Sequence, residues 1–165
     1  MVDSTLSQGH LSLEERIQRL EDIESIKQLK ARYCEICDDD HNPDLITTVF
    51  SSNAVWEGQG IGRASGHGEI VQLFKTFQSA ISFSQHIVNN PIIEVDGNDA
   101  TGRWYFFGTF TYYEGGVRRW QSARYHEKYV RSDTGWKIQH LKVAEPVFSA
   151  RYESGWRNGL DRSRD

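Results

Sequence analysis

The side chains that could take part in chemistry are few, and they fall in three separate parts of the sequence. Imidazole and carboxylate groups act as bases and acids, thiolates act as nucleophiles or metal ligands, and guanidinium groups bind anions. Taken one at a time, each candidate has a more common structural explanation, such as a solvated helix end or a charged strand face. Their function therefore depends on the elements that bring them together. The candidates are Asp38, His86, Arg124, His126, and the pair Cys34 and Cys37.

The two cysteines form one C-x-x-C motif inside the first predicted helix. A redox motif of this kind lies at a helix N-terminus, where the helix dipole lowers the thiol pKa. Cys34 and Cys37 instead lie near a helix C-terminus beside acidic residues, which raise the thiol pKa. A zinc site needs two further ligands, and no second C-x-x-C exists. We therefore expect two packed cysteines and no metal site.

A long helix is predicted to end at the first of these acids. Ser12 and Glu15 form a capping box, in which each side chain accepts a hydrogen bond from the other residue's backbone N–H. The helix ends in Asp38-Asp39-Asp40, because three carboxylates are unfavourable at the negative end of a helix dipole. Between these ends an apolar side chain recurs every three or four residues. This stripe consists of Leu13, Ile17, Leu20, Ile23, Ile26, Leu29 and Tyr33.

Shorter elements follow the long helix. Asn42-Pro43 predicts a short helix that includes Phe50, since proline is favoured in the first turn. Residues 54–56 predict a strand, and residues 66–80 predict a third helix with an apolar face. The segment 60–66 is rich in glycine but matches neither a Walker loop nor a dinucleotide-binding turn, so we expect a flexible connector there.

The second half of the chain has the pattern of long antiparallel strands. Strands are predicted over about 84–95, 99–113, 117–131 and 135–148, separated by turn sequences such as Asp96-Gly97 and Gly115-Gly116. Helices followed by a strand meander indicate an α+β fold. Strands of about 15 residues must curl strongly. We expect one domain over residues 12–150, with a flexible N-terminal tail (1–11) and a polar C-terminal tail (151–165).

Aromatic residues make up 12% of the chain, which is 8 Phe, 7 Tyr and 5 Trp. Disordered chains are poor in such residues, so a folded core is expected. Phe50, Trp56, Phe74 and Phe77 are assigned to a core between helices and sheet. Both alternating faces of residues 101–113 carry rings, so neither face is freely solvated. One face is predicted to pack on the helices and the other on a partner subunit.

The charge balance excludes some classes of partner. The chain has 19 basic and 23 acidic residues and a net charge of −4 with histidine neutral. A nucleic-acid or membrane-surface binder would show a basic footprint. No apolar run approaches the roughly 20 residues that span a bilayer, and the N-terminus lacks the pattern of a signal peptide. We expect a soluble, cytoplasmic protein.

A series of short motifs follows in a fixed order over residues 13–148. The motifs are Ile26–Tyr33 followed by Asp38, Asn53–Trp56, Gly62 with Gly66, His86–Pro91, Val95–Thr101, and Arg124-Tyr125 followed by Gly135–Ile138. This order resembles the SnoaL-like branch of the NTF2-like superfamily. The resemblance implies a cone-shaped α+β barrel, in which N-terminal helices pack on a strongly curved, mostly antiparallel sheet.

The resemblance extends to the Asp–His lyases of this superfamily, which include hexachlorocyclohexane dehydrochlorinase, bile acid 7α-dehydratase and scytalone dehydratase. Their shared aspartate corresponds to Asp38 and their shared histidine to His86, 48 residues apart here. The pocket arginine of the dehydrochlorinase corresponds to Arg124. Tyr33 stands where the bile acid enzyme has its pocket tyrosine and the dehydrochlorinase has a lysine.

These correspondences imply a role for each residue. His86 is the general base, because an imidazole has a pKa near the working pH. Asp38 orients its ring and stabilises the imidazolium. Arg124 stabilises the leaving group, and Tyr33 donates a hydrogen bond to the substrate. Further substrate contacts are predicted for Trp56, Trp104, Phe106, Trp120 and His126.

The resemblance therefore implies a lyase that acts on a small, mostly apolar cyclic substrate. The reaction needs neither a metal nor an organic cofactor. Two alternatives are an isomerase or polyketide-type cyclase that uses the same Asp–His pair, and a non-catalytic binding module, since the superfamily includes many binding-only members. A homo-oligomer is implied as well, with a trimer favoured over a dimer.

Overall fold

Six strands and two α-helices lie within residues 11–151, the part of the backbone that this computed structural model describes; side chains are described for residues 11–144. The predicted tails, 1–11 and 151–165, fall outside this range except for Leu11 and Arg151. Single 3₁₀ turns lie at Ile46–Thr48 and Glu114–Gly116. In chain order the elements are α1 (Leu13–Asp38), β1 (Phe50–Gly58), β2 (Gly62–Ser65), α2 (Gly66–Ala80), β3 (Ile81–Asp96), β4 (Asp99–Tyr112), β5 (Arg118–Ser132) and β6 (Gly135–Arg151).

All six strands form one sheet in the order β2-β1-β6-β5-β4-β3. The β1–β6 pair is parallel and the other pairs are antiparallel. The four long strands were predicted to within a few residues, because turn residues separate them sharply. The sheet curves around the helices without closing, which confirms the cone-shaped α+β fold class. No helix within the described residues is long and apolar enough to cross a membrane.

Two predictions between α1 and α2 were wrong in detail. The short helix after Pro43 is only the 3₁₀ turn Ile46–Thr48, and Phe50 begins β1 instead of ending a helix. The segment predicted as a flexible connector contains β2, which pairs with β1 from Val55 opposite Ser65 to Gly58 opposite Gly62. The positive φ of Gly60, 75°, lets the chain reverse between these strands.

Helix α1 begins with the predicted capping box at Ser12 and Glu15. Its apolar side chains, however, are buried against the sheet only in the second half of the helix. Ile26 and Tyr33 are buried, whereas Leu13 is 70% and Leu20 is 66% exposed. The cause is geometric: the helix packs on β3 and β6, and its first turns extend past the sheet. The predicted stripe is therefore a core contact only from about Ile26 onward.

A buried ion pair fixes the covered half of α1 to the sheet. Lys30 Nζ lies 2.5 Å from Glu127 Oε1 on β5, and both side chains are fully buried. The Tyr129 hydroxyl donates to the other carboxylate oxygen of Glu127 and accepts a hydrogen bond of 2.9 Å from Trp104 Nε1. Because buried charges are tolerated only when paired and hydrogen-bonded, this network sets the height of α1, and hence of Tyr33, above the sheet.

Strand β4 alternates between an inward face that is buried, as predicted, and an outward face that is partly exposed in the single chain. Trp104, Phe106 and Phe110 point inward and are at most 6% exposed. Tyr105 points outward and is 44% exposed. The inner rings form one wall of the space beneath the helices, where the candidate site lies.

Candidate active site

A cavity of about 310 Å³ lies between the two helices and the inner face of the sheet. Its wall is mainly apolar and aromatic, and its polar groups are hydroxyl, imidazole, amide and thiol groups. None of the described lining residues is Lys, Arg, Asp or Glu. A concave, mostly apolar space with a few converging polar groups is the usual form of a small-molecule site. The polar lining residues are Tyr33, Cys37, His41, His86, Tyr112, Gln121 and Tyr125.

His86 reaches this cavity from the middle of β3. Its side chain is 6% exposed, and its ring lies between Phe106 and Phe110, with ring centroids 5.2 and 5.3 Å away. The residue opposite His86 on β4 is Gly108. A Cβ atom on Gly108 would lie 2.7 Å from Cζ of Phe106, so only glycine lets that ring lie flat against the strand beside His86.

Asp38 holds His86 from outside the cavity. As the last residue of α1, it places Oδ1 2.6 Å from Nδ1 of His86, and its Oδ2 accepts the His86 main-chain N–H at 2.9 Å. An ionised carboxylate can only accept hydrogen bonds. Nδ1 is therefore the protonated nitrogen, and Nε2, on the opposite edge of the ring, is left with a free lone pair. This is the geometry of a base with its orienting carboxylate.

Tyr33 lies one helical turn before Cys37 and forms part of the cavity wall. Its hydroxyl accepts a hydrogen bond of 3.2 Å from Nε1 of Trp56, the predicted contact residue on β1. Burial is the main cause that raises the pKa of Tyr33 well above its ordinary value. The hydroxyl therefore keeps its proton and remains able to donate it in a hydrogen bond.

Of the four residues predicted to share one cavity, Tyr33 and His86 line it, Asp38 contacts His86 from outside it, and Arg124 lies on the opposite face of the sheet. Arg124 is exposed and lies over the ring of Tyr105, with Cζ 5.1 Å from the ring centroid. The physical reason is the alternation of β5. Its buried neighbour Tyr125 lines the cavity, so Arg124 must point outward.

The predicted substrate contacts divide in the same way. Trp56 and Phe106 line the cavity. Trp120 and His126 share the outward register of Arg124 on β5; Trp120 packs against Phe107 at 5.0 Å, and His126 borders a separate groove. Trp104 is buried but is directed to Tyr129 and does not line the cavity.

Several cavity residues were not predicted as site residues. His41 follows the acidic helix end and turns inward beside Phe77. Gln121 donates to the Tyr112 hydroxyl at 3.0 Å, and both residues line the cavity. A strand-parity argument could have found Gln121, because it shares a register with Ala123 and Tyr125. No sequence signal marks His41, which depends on a loop conformation.

The two cysteines are free and buried, as predicted. Burial raises the pKa of Cys34 to about 11 and that of Cys37 well above its ordinary value. Both thiols are therefore protonated and weakly nucleophilic near neutral pH. Within the described residues, no three His, Cys, Asp or Glu side chains are placed to hold a metal ion.

Comparisons with known proteins agree with this architecture. Residues 18–142 match the family model described as the SnoaL-like domain. Three solved structures that cover most of the chain are similar. A candidate aromatic ring hydroxylase from Novosphingobium aromaticivorans is 23% identical, covers 84% of this chain and 96% of its own, and has a TM-score of 0.75.

The other two are lyases by name. The hexachlorocyclohexane dehydrochlorinase LinA-type3 from Novosphingobium barchaimii is 19% identical, with coverage of 85% and 96% and a TM-score of 0.77. A candidate scytalone dehydratase from Novosphingobium aromaticivorans is 16% identical, with coverage of 85% and 93% and a TM-score of 0.76. At these identities the similarity establishes the fold, while the chemistry must be argued from the cavity itself.

Proposed function

The chain belongs to the SnoaL-like family, and on this basis we propose that it is a cofactor-free lyase. It eliminates water or another leaving group from a small, mostly apolar ring compound. The observation that carries the proposal is the contact of 2.6 Å between Asp38 Oδ1 and His86 Nδ1 at the wall of an aromatic cavity. The similar dehydrochlorinase and candidate scytalone dehydratase make elimination the favoured reaction class.

The reaction begins with proton transfer to His86. Nε2 removes a proton from a carbon next to an activating group of the substrate. The electron pair of that C–H bond becomes the new C=C bond, and the leaving group departs from the neighbouring carbon with the electrons of its own bond. Asp38 stabilises the imidazolium formed in this step, because its carboxylate already accepts the Nδ1 hydrogen.

The cavity holds and activates the ring of the substrate. Phe106, Phe110 and Trp56 offer aromatic surface, which favours a flat or cyclic apolar molecule. The Tyr33 hydroxyl is a hydrogen-bond donor in the cavity wall, anchored on the same helix as Asp38, and we assign it to the leaving group. Arg124 has no part in this proposal, because it lies on the outer face.

The proposal is tested with two neutral ring compounds that differ in the leaving group. 3-Hydroxycyclohexanone and 3-chlorocyclohexanone both give cyclohex-2-enone on elimination, which is followed by its ultraviolet absorbance. We expect turnover by the natural chain and loss of turnover in His86→Ala. His67→Ala is the control, since His67 lies on α2 and contacts the Phe50 carbonyl outside the cavity lining. Turnover retained by His86→Ala, or absent across a panel of ring sizes, would contradict the proposal.

The mass of the product separates this reaction from the alternatives. A product of unchanged mass that still requires His86 would indicate an isomerase or cyclase. Binding without any product would indicate a binding module.

We also propose that the chain forms a homo-oligomer, in which a trimer is favoured, through the outer face of the sheet. Phe83 is 55% and Ile87 is 45% exposed on β3. They border an apolar groove with Phe107 and Trp120 from the two neighbouring strands. Exposed apolar patches of this kind usually mark interaction surfaces.

A further inference from the structure

His41 is the one cavity histidine that the elimination mechanism above leaves without a task. Its side chain lies in the cavity wall, and the residue is only 4% exposed. Within residues 11–144, no side-chain or backbone group forms a hydrogen bond with its ring, although its main-chain N–H donates to the Cys37 carbonyl at 3.1 Å. Buried polar groups are nearly always hydrogen-bonded, so a buried imidazole beside an open cavity points to a partner that enters the cavity.

The backbone holds His41 in this position at a conformational cost. Asp40 and His41 both have positive φ, 55° and 49°, which non-glycine residues rarely adopt. The turn is closed by two backbone bonds, from His41 N to Cys37 O and from Asn42 N to Ile36 O, both 3.1 Å. Strained backbone conformations cluster at functional sites.

The surroundings of the ring decide its protonation state. Its centroid lies 5.5 Å from that of Phe77 and 6.0 Å from that of Phe74. The titratable groups that face it are His86, whose ring centroid is 5.9 Å away, and Asp38. Burial, assisted by His86 and opposed by Asp38, lowers the pKa of His41 to about 4. The ring is therefore neutral near pH 7 and carries one N–H donor and one acceptor nitrogen.

We propose that His41 is a second functional histidine, which donates a hydrogen bond to a carbonyl or hydroxyl oxygen of an uncharged substrate held against His86. This inference rests on the proposed function. His41 binds the substrate oxygen whose polarisation acidifies the C–H bond, and His86 removes the proton from that bond. A neutral imidazole is suited to this task because it polarises a carbonyl without first losing or gaining a proton.

The uncharged nature of the substrate follows from the cavity wall. The described lining residues include no formally charged side chain. Among the described residues, the one buried Lys or Arg is Lys30, which is already paired with Glu127. A carboxylate or phosphate would lose its hydration in the cavity without meeting a counter-ion, which is strongly unfavourable.

A competing site for the oxygen is the Tyr112–Gln121 pair. Gln121 already donates to the Tyr112 hydroxyl at 3.0 Å, and both side chains are less buried than His41. They satisfy part of each other's hydrogen-bonding capacity, whereas the His41 ring has no hydrogen-bond partner among the described residues. Single substitutions in His41 and in Gln121 distinguish these two candidate binding sites.

The test compares three ligands of equal ring size by calorimetric titration: naphthalene, 2-naphthol and 2-naphthoate. We expect the natural chain to bind 2-naphthol about tenfold more tightly than naphthalene, which corresponds to one hydrogen bond, and not to bind 2-naphthoate. His41→Phe keeps a ring of similar size and should abolish the preference for 2-naphthol, while its affinity for naphthalene stays within about twofold. His41→Gln, which retains a donor, should recover part of the preference.

A structural role would give a different pattern. An unchanged naphthol preference in a folded His41→Phe variant, or loss of the preference in Gln121→Leu instead, overturns the inference. If His41→Phe does not fold, as judged by circular dichroism, His41→Gln and the ¹⁵N shifts of the His41 ring on addition of 2-naphthol decide the matter; shifts unchanged by 2-naphthol overturn it. Because these readouts require no turnover, a naphthol preference that depends on His41 stands even if no elimination activity is found.

Discussion

The carboxylate of Asp38 holds His86 at two points, the ring nitrogen Nδ1 at 2.6 Å and the main-chain nitrogen at 2.9 Å. The first contact sets the tautomer of the ring. The second ties β3 to the C-terminal end of α1, so the ring cannot shift along the strand without breaking it. One side chain therefore supplies both the electrostatics and the register of the candidate base.

Asp38→Asn should abolish most of the activity while the protein stays folded. The amide can still accept the His86 main-chain N–H, but it does not stabilise the imidazolium and does not enforce protonation at Nδ1. By comparison with other His–Asp pairs, we expect kcat to fall by at least about a hundredfold with a smaller change in KM.

The matched control for this change is Asp39→Asn. Asp39 is the next residue, is exposed and contacts only Asn42 through its side chain among the described residues. Its substitution should leave kcat within about twofold. Equal losses in the two variants would indicate that helix-end charge, and not the contact with His86, supports activity.

Tyr33→Phe should lower both activity and stability. The change leaves Nε1 of Trp56 without its acceptor inside the cavity, and a buried donor that loses its partner costs about 1–3 kcal/mol. We expect a decrease of that size in the free energy of unfolding, measured in urea. Tyr105→Phe, on the outward face of β4, is the control and should change stability by less than about 0.5 kcal/mol.

His41 should make the protein less stable in acid. Its pKa is lowered from 6.5 to about 4 in the folded state. Below pH 6.5 the unfolded chain therefore binds a proton that the folded chain does not, and stability is lost as the pH falls toward 4. One pKa unit corresponds to about 1.4 kcal/mol, so the loss is roughly 3 kcal/mol.

Carboxylates also titrate between pH 6.5 and 4. The effect of His41 on stability is therefore isolated by comparing the natural chain with a variant that lacks this histidine. The unfolding free energy of His41→Phe minus that of the natural chain should rise between pH 7.5 and pH 4. The contributions of groups that the two proteins share largely cancel in this difference. A difference that is constant with pH would show that the His41 ring is protonated equally in both states.

The pairing of Lys30 with Glu127 predicts strong coupling between α1 and β5. Lys30→Met leaves a buried carboxylate without its cation and should destabilise the fold by about 3–5 kcal/mol. Adding Glu127→Leu should restore much of that loss, because it removes the carboxylate that Lys30→Met leaves uncompensated. Lys27→Met is the control, since Lys27 forms, among the described residues, only an exposed contact of 3.6 Å with Glu24. Additive losses in the double variant would contradict the coupling.

Local patterns explain what was predictable from the sequence. The capping box at Ser12 and Glu15 and the alternation around Phe106 depend on neighbours within a few residues, so the start of α1 and the long strands could be predicted. The exposure of the first turns of α1 could not be predicted, because it depends on how far the sheet extends beneath the helix. Arg124 and His41 required knowledge of strand parity and of a left-handed turn, which residue type alone does not supply.

The outer face of the sheet should hold the subunits together. Phe83 and Ile87 are about half exposed, and burying such side chains contributes about 25 cal/mol per Å² of apolar surface. We expect the natural chain to be a trimer by light scattering, and Phe83→Glu with Ile87→Glu to give a folded monomer. Leu13→Glu is the control, because Leu13 is equally apolar and 70% exposed but lies on the first turn of α1. If Leu13→Glu dissociates the oligomer and the outer-face variant does not, the interface lies along α1 instead. A natural chain that is monomeric would show that these two exposed side chains have no partner subunit.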